Sequence, residues 1–260
     1  MGDWRAMANF RSWCTIGALA RIGNHRAGVL ESQDDTTGVT TVATALPDAY
    51  AESGKLAGIA ERLGKDAVAA FLRNKLPATA IARSGDMGEI LATAYLHEER
   101  GYVVGPSRLI QRDHQEWAMR GDDVLAGRFS SDGKLRIIKA EAKSRLKLGR
   151  RTVAEAREGL ARNGELPSPH SLAQFADRLL STADSNVGYA VLDMQRLDGV
   201  RPERVAHLMF LFTSSDPSGH VTADLQAYAG SVSQLAITLR VRGHQQFISD
   251  AYEKVTSSGS

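Results

Sequence analysis

Two short clusters of charged residues carry the strongest chemical signal in this sequence. Gly121-Asp122-Asp123 opens one apolar segment, and Glu141-Ala142-Lys143 lies near the end of the next. Both segments have the composition of β-strands, and the turn residues Ser131-Asp132-Gly133 between them predict a hairpin. Because strand residues two apart point to the same face, Glu141 and Lys143 are predicted to project side by side.

The paired carboxylates predict a metal site. If Asp123 begins the neighbouring strand, its carboxylate can meet Glu141 across the pair. Two carboxylates at that separation repel each other unless a cation lies between them. Mg²⁺ suits them, because it takes oxygen ligands, keeps several waters and is completed by substrate phosphates; Mn²⁺ is the alternative. Lys143 would orient the attacking water or stabilise charge on the phosphate oxygens. These residue types predict metal-dependent phosphodiester hydrolysis.

Two of these residues also have other interpretations. Glu141 could instead pair with Lys139 or Lys143 on the surface of a structural hairpin. Asp122 is the alternative ligand to Asp123, because only one of two adjacent residues can face the metal; we favour Asp123.

Glu89 has two alternative roles as well. The pattern Asp86-x-x-Glu89 has the spacing of a capping box, in which Glu89 would reach back to the backbone N–H of Asp86 at the start of a helix. A metal role would require the Glu89 side chain to turn toward the two strands instead. Thr152-x-x-Glu155 has the same spacing and predicts a second helix start.

Positive charge is concentrated around the two clusters, although the whole chain has a formal net charge of +2. Residues 120–162 contain 12 Lys and Arg against 6 Asp and Glu. A polyanion would bind where this charge lies, although a charge run also fits a solvated helix face. The residues expected to contact nucleic-acid phosphates are Arg120, Arg145, Lys147, Arg150 and Arg151.

Composition excludes several classes of protein. The 260 residues, 43% hydrophobic and 24% charged, fit a globular chain with a full core. The single cysteine, Cys14, rules out an internal disulfide, and the seven scattered histidines lack zinc-ligand spacing. No uncharged apolar run approaches the ~20 residues of a membrane span. We expect a soluble, cytoplasmic protein without membrane contact.

The order of helical and strand patterns predicts an α/β fold with a mixed central sheet flanked by helices. Residues 1–48 are predicted to be irregular, with a strand or loop over 36–44. Helices are predicted over 48–74, 86–101, 152–164, 168–180 and 245–255. Strands are predicted over 102–104, 122–129, 135–143, 187–193, 204–213 and 235–241.

The order Glu89, Gly121-Asp122-Asp123, Glu141-Ala142-Lys143 resembles the helix–strand–strand core of the PD-(D/E)XK nuclease superfamily. Within it, the stretch that runs from residues 83–90 through 120–123 to 140–145 and the helix after them resembles HamA, the effector nuclease family of Hachiman anti-phage systems. This stretch covers about a third of the chain. The resemblance implies a restriction-endonuclease-like core with Asp123 and Glu141 as metal ligands. It also implies Lys143 as the catalytic lysine and Glu89 as an auxiliary acidic residue.

The same resemblance implies a DNA endonuclease with little sequence preference, restrained by a partner helicase subunit. The nuclease-like domain would cover residues 81–256, and 257–260 would be a disordered tail. Residues 1–80 match no motif and are interpreted as an N-terminal helical elaboration that serves the partner interface. Two alternatives stay open: a non-catalytic subunit that clamps DNA or the helicase, and an RNA-directed nuclease of the same fold.

Overall fold

The computed structural model describes residues 8–105, 107–111 and 121–257. These residues form a seven-stranded mixed sheet with helices on both faces, which confirms the predicted α/β class. The strands are β1 (Cys14–Ile16), β2 (Ala20–Ile22), β3 (His25–Ser32), β4 (Val124–Phe129), β5 (Leu135–Ser144), β6 (Val205–Thr213) and β7 (Ser233–Arg240).

The strand order across the sheet is β1-β3-β7-β6-β5-β4, with β2 paired to β3. Strands β3, β7, β6 and β5 run parallel to one another, and β4 is antiparallel to β5. Strand β6 lies in the middle of the parallel part, and eight of its nine residues are buried. A sheet covered on both faces requires such a continuous apolar strand.

The helices fall on the two faces of the sheet, which divides the core into separate clusters. The helices are α1 (Asp35–Tyr50), α2 (Ser53–Leu63), α3 (Lys65–Lys75), α4 (Ala80–Glu98), α5 (Arg150–Ala161), α6 (Pro169–Leu180), α7 (Ser185–Asp193), α8 (Ser218–Ala227) and α9 (His244–Ser257). Helices α1, α3, α4 and α9 cover the face that carries Ile138 and Phe210, whereas α5 to α8 cover the face that carries Ile137 and Leu211. Within the described ranges, no helix combines the length and apolar character that crossing a bilayer requires.

Both predicted capping boxes are wrong. Helix α4 begins at Ala80, where Thr79 Oγ1 accepts the N–H of Ala82, so Asp86 and Glu89 lie inside the helix. Thr79 caps the first turn, and Ser84 Oγ lies 2.8 Å from Ser144 Oγ of β5, so contacts outside the predicted helix hold the earlier turns. Helix α5 likewise begins at Arg150, two residues before Thr152.

Two segments form helices against the prediction: residues 187–193, predicted as a strand, and residues 36–44, predicted as a strand or loop. Residues 36–44 lie in α1, where Asp34 caps the first turn by accepting the N–H groups of Thr36 and Thr37. Residues 187–193 lie in α7, because Val187 and Val191, four residues apart, both pack into the cluster with α6. A short apolar run fits strand and helix equally well, so tertiary packing decides.

The N-terminal region is more regular than predicted. Residues 14–32 form three strands, and the helix predicted over 48–74 divides into the end of α1, α2 and α3. Residues 102–104 contribute one bridge, from Val103 to Gly127, rather than a full strand. The helices that begin at Pro169 and His244, and the strands β4 to β7, lie within two residues of their predicted starts.

Strand β3 pairs with β7, and α1 packs on α9. Residues on both sides of the boundary predicted at residue 80 therefore share one sheet and one core. The division of the chain into domains stays a prediction. Of the tail predicted over 257–260, Ser257 ends α9 and residues 258–260 lie outside the described part.

Candidate active site

Asp123 and Glu141 lie at one end of the β4–β5 pair. Val124 pairs with Ala140 in antiparallel register, so Asp123 stands opposite Glu141 one step further along. Asp123 Oδ2 accepts the backbone N–H of Ala142 at 3.0 Å, which fixes the carboxylate at the end of the ladder. The structure thus brings together the two carboxylates that the sequence predicts as metal ligands.

Glu141 is buried against α5 and paired with Lys143. The Glu141 side chain contacts Gly159, where an added Cβ would collide with the carboxylate. Lys143 Nζ donates a hydrogen bond to Glu141 Oε1 at 2.5 Å. Burial, followed by the charge of Asp123, raises the pKa of Glu141. A cation between Asp123 and Glu141 would relieve the repulsion between their negative charges.

The donor atoms fit a magnesium ion that keeps part of its water shell. The two Asp123 oxygens each accept one hydrogen bond, which leaves a further lone pair on each. Glu141 Oε2 receives no hydrogen bond from the described residues. Among all the residues that the structure describes, no group of three His, Cys, Asp or Glu side chains is arranged to hold a metal ion. Mg²⁺ accepts one or two carboxylates, with waters and substrate phosphates completing its shell.

Arg108, which no sequence motif marks, connects Asp123 to Glu89. It lies in a short 3-10 turn, Arg108–Gln111, between α4 and β4. Its Nη2 group donates to Asp123 Oδ1 at 3.1 Å and to Glu89 Oε1 at 2.7 Å, and its Nε donates to Glu89 Oε2 at 2.8 Å. Arg108 therefore pairs with both carboxylates and holds Asp123 through Oδ1, whereas Ala142 holds it through Oδ2.

Glu89 projects from the middle of α4 toward the strands, as a site role requires. Its two oxygens are both occupied by Arg108. Burial raises the pKa of Glu89 to about 7, although Arg108 opposes the rise. Glu89 thus acts in this structure as the counter-ion of Arg108, and its direct contact with a metal stays a prediction.

Asp122 has a structural role. Its Oδ2 accepts the N–H of Ser168 at 2.8 Å, and its Oδ1 lies 3.5 Å from Lys139 Nζ. Lys139 is 1% exposed and also donates to the carbonyls of Arg162 and Leu166. Asp122 therefore anchors the start of α6 and neutralises a buried lysine. Lys139, one alternative partner of Glu141, faces Asp122 instead.

The basic residues predicted to contact phosphates lie together after the site. Arg145, Lys147, Arg150 and Arg151 are all exposed, in the connection between β5 and α5 and in the first turn of α5. No described side chain caps this helix start. Arginines are unfavourable at the positive end of a helix, so an anion bound there would stabilise the arrangement. Arg120 lies outside the described residues.

Sequence comparison with known proteins assigns this chain to a family. A family model described as HamA matches residues 23–255, a span that contains Glu89, Asp123, Glu141 and Lys143. The Hachiman protein HamA of Bacillus cereus is 30% identical over 113 residues, which cover 44% of this chain and 39% of that relative. The chain thus aligns with well under half the length of the curated relative, whereas the family model extends from the turn before β3 into α9. The protein belongs to the HamA family.

Proposed function

We propose that this protein is a Mg²⁺-dependent nuclease that hydrolyses phosphodiester bonds in DNA, and that it is the effector of a Hachiman-type anti-phage system. The observation that carries the nuclease proposal is the position of Asp123, Glu141 and Lys143 at one end of the β4–β5 pair. The defence role is supported by membership of the HamA family and by the Bacillus cereus relative, which is named as a Hachiman protein.

Asp123 and Glu141 would hold the metal ion. When bound, Mg²⁺ supplies a Lewis acid for the phosphate oxygens and lowers the pKa of a coordinated water. The residues of the chain orient the reactants around it. Arg108 and the N–H of Ala142 fix the Asp123 carboxylate from two sides, and Gly159 leaves the space that Glu141 occupies.

Lys143 would act on the reacting phosphate. Its ammonium group has three N–H donors, of which one is used by Glu141. The Lys143 side chain is 19% exposed to solvent, so its remaining donors can reach a water or a phosphate oxygen. A positive charge held in place beforehand stabilises the negative charge that develops in the transition state.

The exposed basic residues after β5 would hold the DNA backbone next to the site. Contacts between cationic side chains and phosphates fix the position of a strand but carry no sequence information. Arg145, Lys147 and Arg150 are therefore expected to give binding with little sequence preference. Affinity should fall steeply with salt concentration, because each phosphate contact releases counterions.

Cleavage of supercoiled plasmid DNA over a Mg²⁺ titration tests the proposal. Glu141→Gln and Lys143→Met should each lower the rate by about 10²–10⁴-fold, with the folded state checked by circular dichroism. Glu203→Gln and Lys134→Met, which alter exposed residues away from the site, are the matched controls and should cut normally. Wild-type rates in both site variants would eliminate the site.

The same variants separate the nuclease from its competitors. A non-catalytic clamp would bind DNA through the exposed arginines, without sensitivity to EDTA, and would cut nothing. An RNA-directed nuclease would cut RNA in preference to DNA when both are offered in parallel. A helicase partner, proposed from the family resemblance, should co-purify with wild type and with Lys143→Met alike.

A further inference from the structure

A small cavity lies beside the proposed metal centre, between α4, the start of β4 and α6. Its volume is about 30 Å³, which exceeds the roughly 10–15 Å³ that one water molecule requires. The cavity is too small for a nucleobase, but it accommodates a compact polar group. The polar residues around it include Glu89, Arg108, Asp123, Ser171, Gln174 and Arg178.

Two arginines that line this cavity carry buried N–H groups with no partner among the described residues. Arg108 Nη1, Arg178 Nε and Arg178 Nη1 are buried and form no hydrogen bond within the described part of the chain. The Arg108 side chain is 10% exposed. Buried donors are almost always paired with protein or bound solvent, so these three donors require an acceptor that the described residues do not supply.

Among the described residues, the carboxylates around the cavity leave Arg178 without a counter-ion. Glu89 and Asp123 both face Arg108, and the charge of Asp122 faces Lys139. Arg178 forms no ion pair with a described carboxylate. Burial, and then the charge of Arg108, lowers the pKa of Arg178 to about 10. An acceptor that carries negative charge would satisfy both arginines.

We propose that Arg178 and the free Nη1 of Arg108 bind a phosphate group of the nucleic-acid strand, adjacent to the phosphate that is cut. The proposal rests on the proposed nuclease function. Guanidinium groups suit phosphate because their planar N–H groups match its oxygens. Because Arg108 also contacts Asp123, a phosphate bound here would position the strand directly beside the proposed metal ligand.

Thermal unfolding with inorganic phosphate tests the cavity without any need for cleavage. Phosphate that binds the folded state raises its Tm relative to chloride at equal ionic strength. Wild type should show this shift, and Arg178→Gln should lose the part of it that comes from the cavity, so its shift should be clearly smaller than that of wild type. Arg73→Gln removes the same charge from the exposed surface of α3, so it should keep the full shift.

Arg178→Lys retains the charge without the planar fork, so its shift should lie between those of wild type and Arg178→Gln; it also serves if Arg178→Gln does not fold. The absence of a phosphate shift in wild type, or a full shift in Arg178→Gln, would overturn the proposal.

Salt-dependent DNA binding in EDTA identifies the source of the phosphate. Loss of one phosphate contact reduces the slope of log K against log salt by about 1. Arg178→Gln should show this reduction, whereas Arg73→Gln should match wild type. A reduced phosphate shift with an unchanged slope would assign the cavity to free phosphate and overturn the nucleic-acid assignment. A reduced slope in a protein that never cuts would refute the nuclease and leave the phosphate site standing.

Discussion

Arg108 and Glu89 form a two-point ion pair inside the protein, with Nε–Oε2 and Nη2–Oε1 distances of 2.8 and 2.7 Å. The pair joins the middle of α4 to the residues that precede β4, because Arg108 also contacts Asp123. Only 10% of the arginine and 17% of the glutamate side chain is exposed. Because Glu89 holds Arg108 and Arg108 holds Asp123, the position of the Asp123 carboxylate depends on both Glu89 and Arg108.

Arg108→Met should destabilise the protein by up to about 3–5 kcal/mol at pH 8, because the buried Glu89 loses its partner and must either stay charged or take up a proton. Glu89 can take up a proton in that variant, so the loss should be smaller at pH 6. The double variant Glu89→Gln/Arg108→Met removes both charges and should recover much of the stability. Urea unfolding at pH 8 and pH 6 measures the stability of wild type and of both variants. If Arg108→Met is as stable as wild type, the ion pair contributes nothing to stability.

The raised pKa of Glu89 predicts a pH-dependent free energy of unfolding. The folded state holds the proton with a pKa of about 7, against an ordinary value of 4.5. The stability associated with this residue is therefore fully present below about pH 4.5 and is lost as the pH rises through about 7. The change is on the order of 3 kcal/mol.

Glu89→Gln cannot ionise, so the difference in stability between it and wild type should grow over this window and level off above it. Chemical unfolding in EDTA at a series of pH values measures the difference. Parallel curves for the two proteins across the whole range would contradict a raised pKa at Glu89.

Asp122 and Asp123 are adjacent in sequence but should respond differently to the same change. Asp122→Asn removes the charge opposite the buried Lys139, so it should lower Tm by several degrees and leave Mg²⁺ affinity nearly unchanged. Asp123→Asn should weaken Mg²⁺ binding by at least tenfold. Isothermal titration with Mg²⁺ and thermal unfolding of both variants make the comparison, and the reverse pattern would transfer the ligand role to Asp122.

The local parts of the site follow from the sequence, whereas its tertiary parts do not. The two-residue alternation of strands predicts that Glu141 and Lys143 share a face, and the hairpin turn predicts that Asp123 comes opposite them. Both depend on residues close together in the chain. The Arg108–Glu89 pair spans 19 residues and two elements, and no periodicity encodes such a contact.

The errors in the fold prediction have the same physical origin. Thr36–Thr44 contains β-branched residues that favour strands, yet the hydroxyls of Thr40, Thr41 and Thr44 hydrogen-bond to carbonyls four residues earlier within α1. The packing of that helix against α9 outweighs its local preference. Intrinsic propensity is a weak guide wherever a helix face is buried in this way.

Gly159 is expected to be essential for the position of Glu141. It lies in α5 directly behind the carboxylate, and a methyl group there would overlap with the Glu141 side chain. Gly159→Ala should therefore displace Glu141 from Lys143 and reduce plasmid cleavage by at least tenfold. The matched control is Gly58→Ala in α2, where an added methyl group meets open space; it should stabilise its helix by about 0.5–1 kcal/mol. Cleavage rates and Tm of both variants are compared with wild type. If Gly159→Ala cuts DNA as fast as wild type while Glu141→Gln does not, the close packing of α5 against Glu141 has no part in positioning the carboxylate.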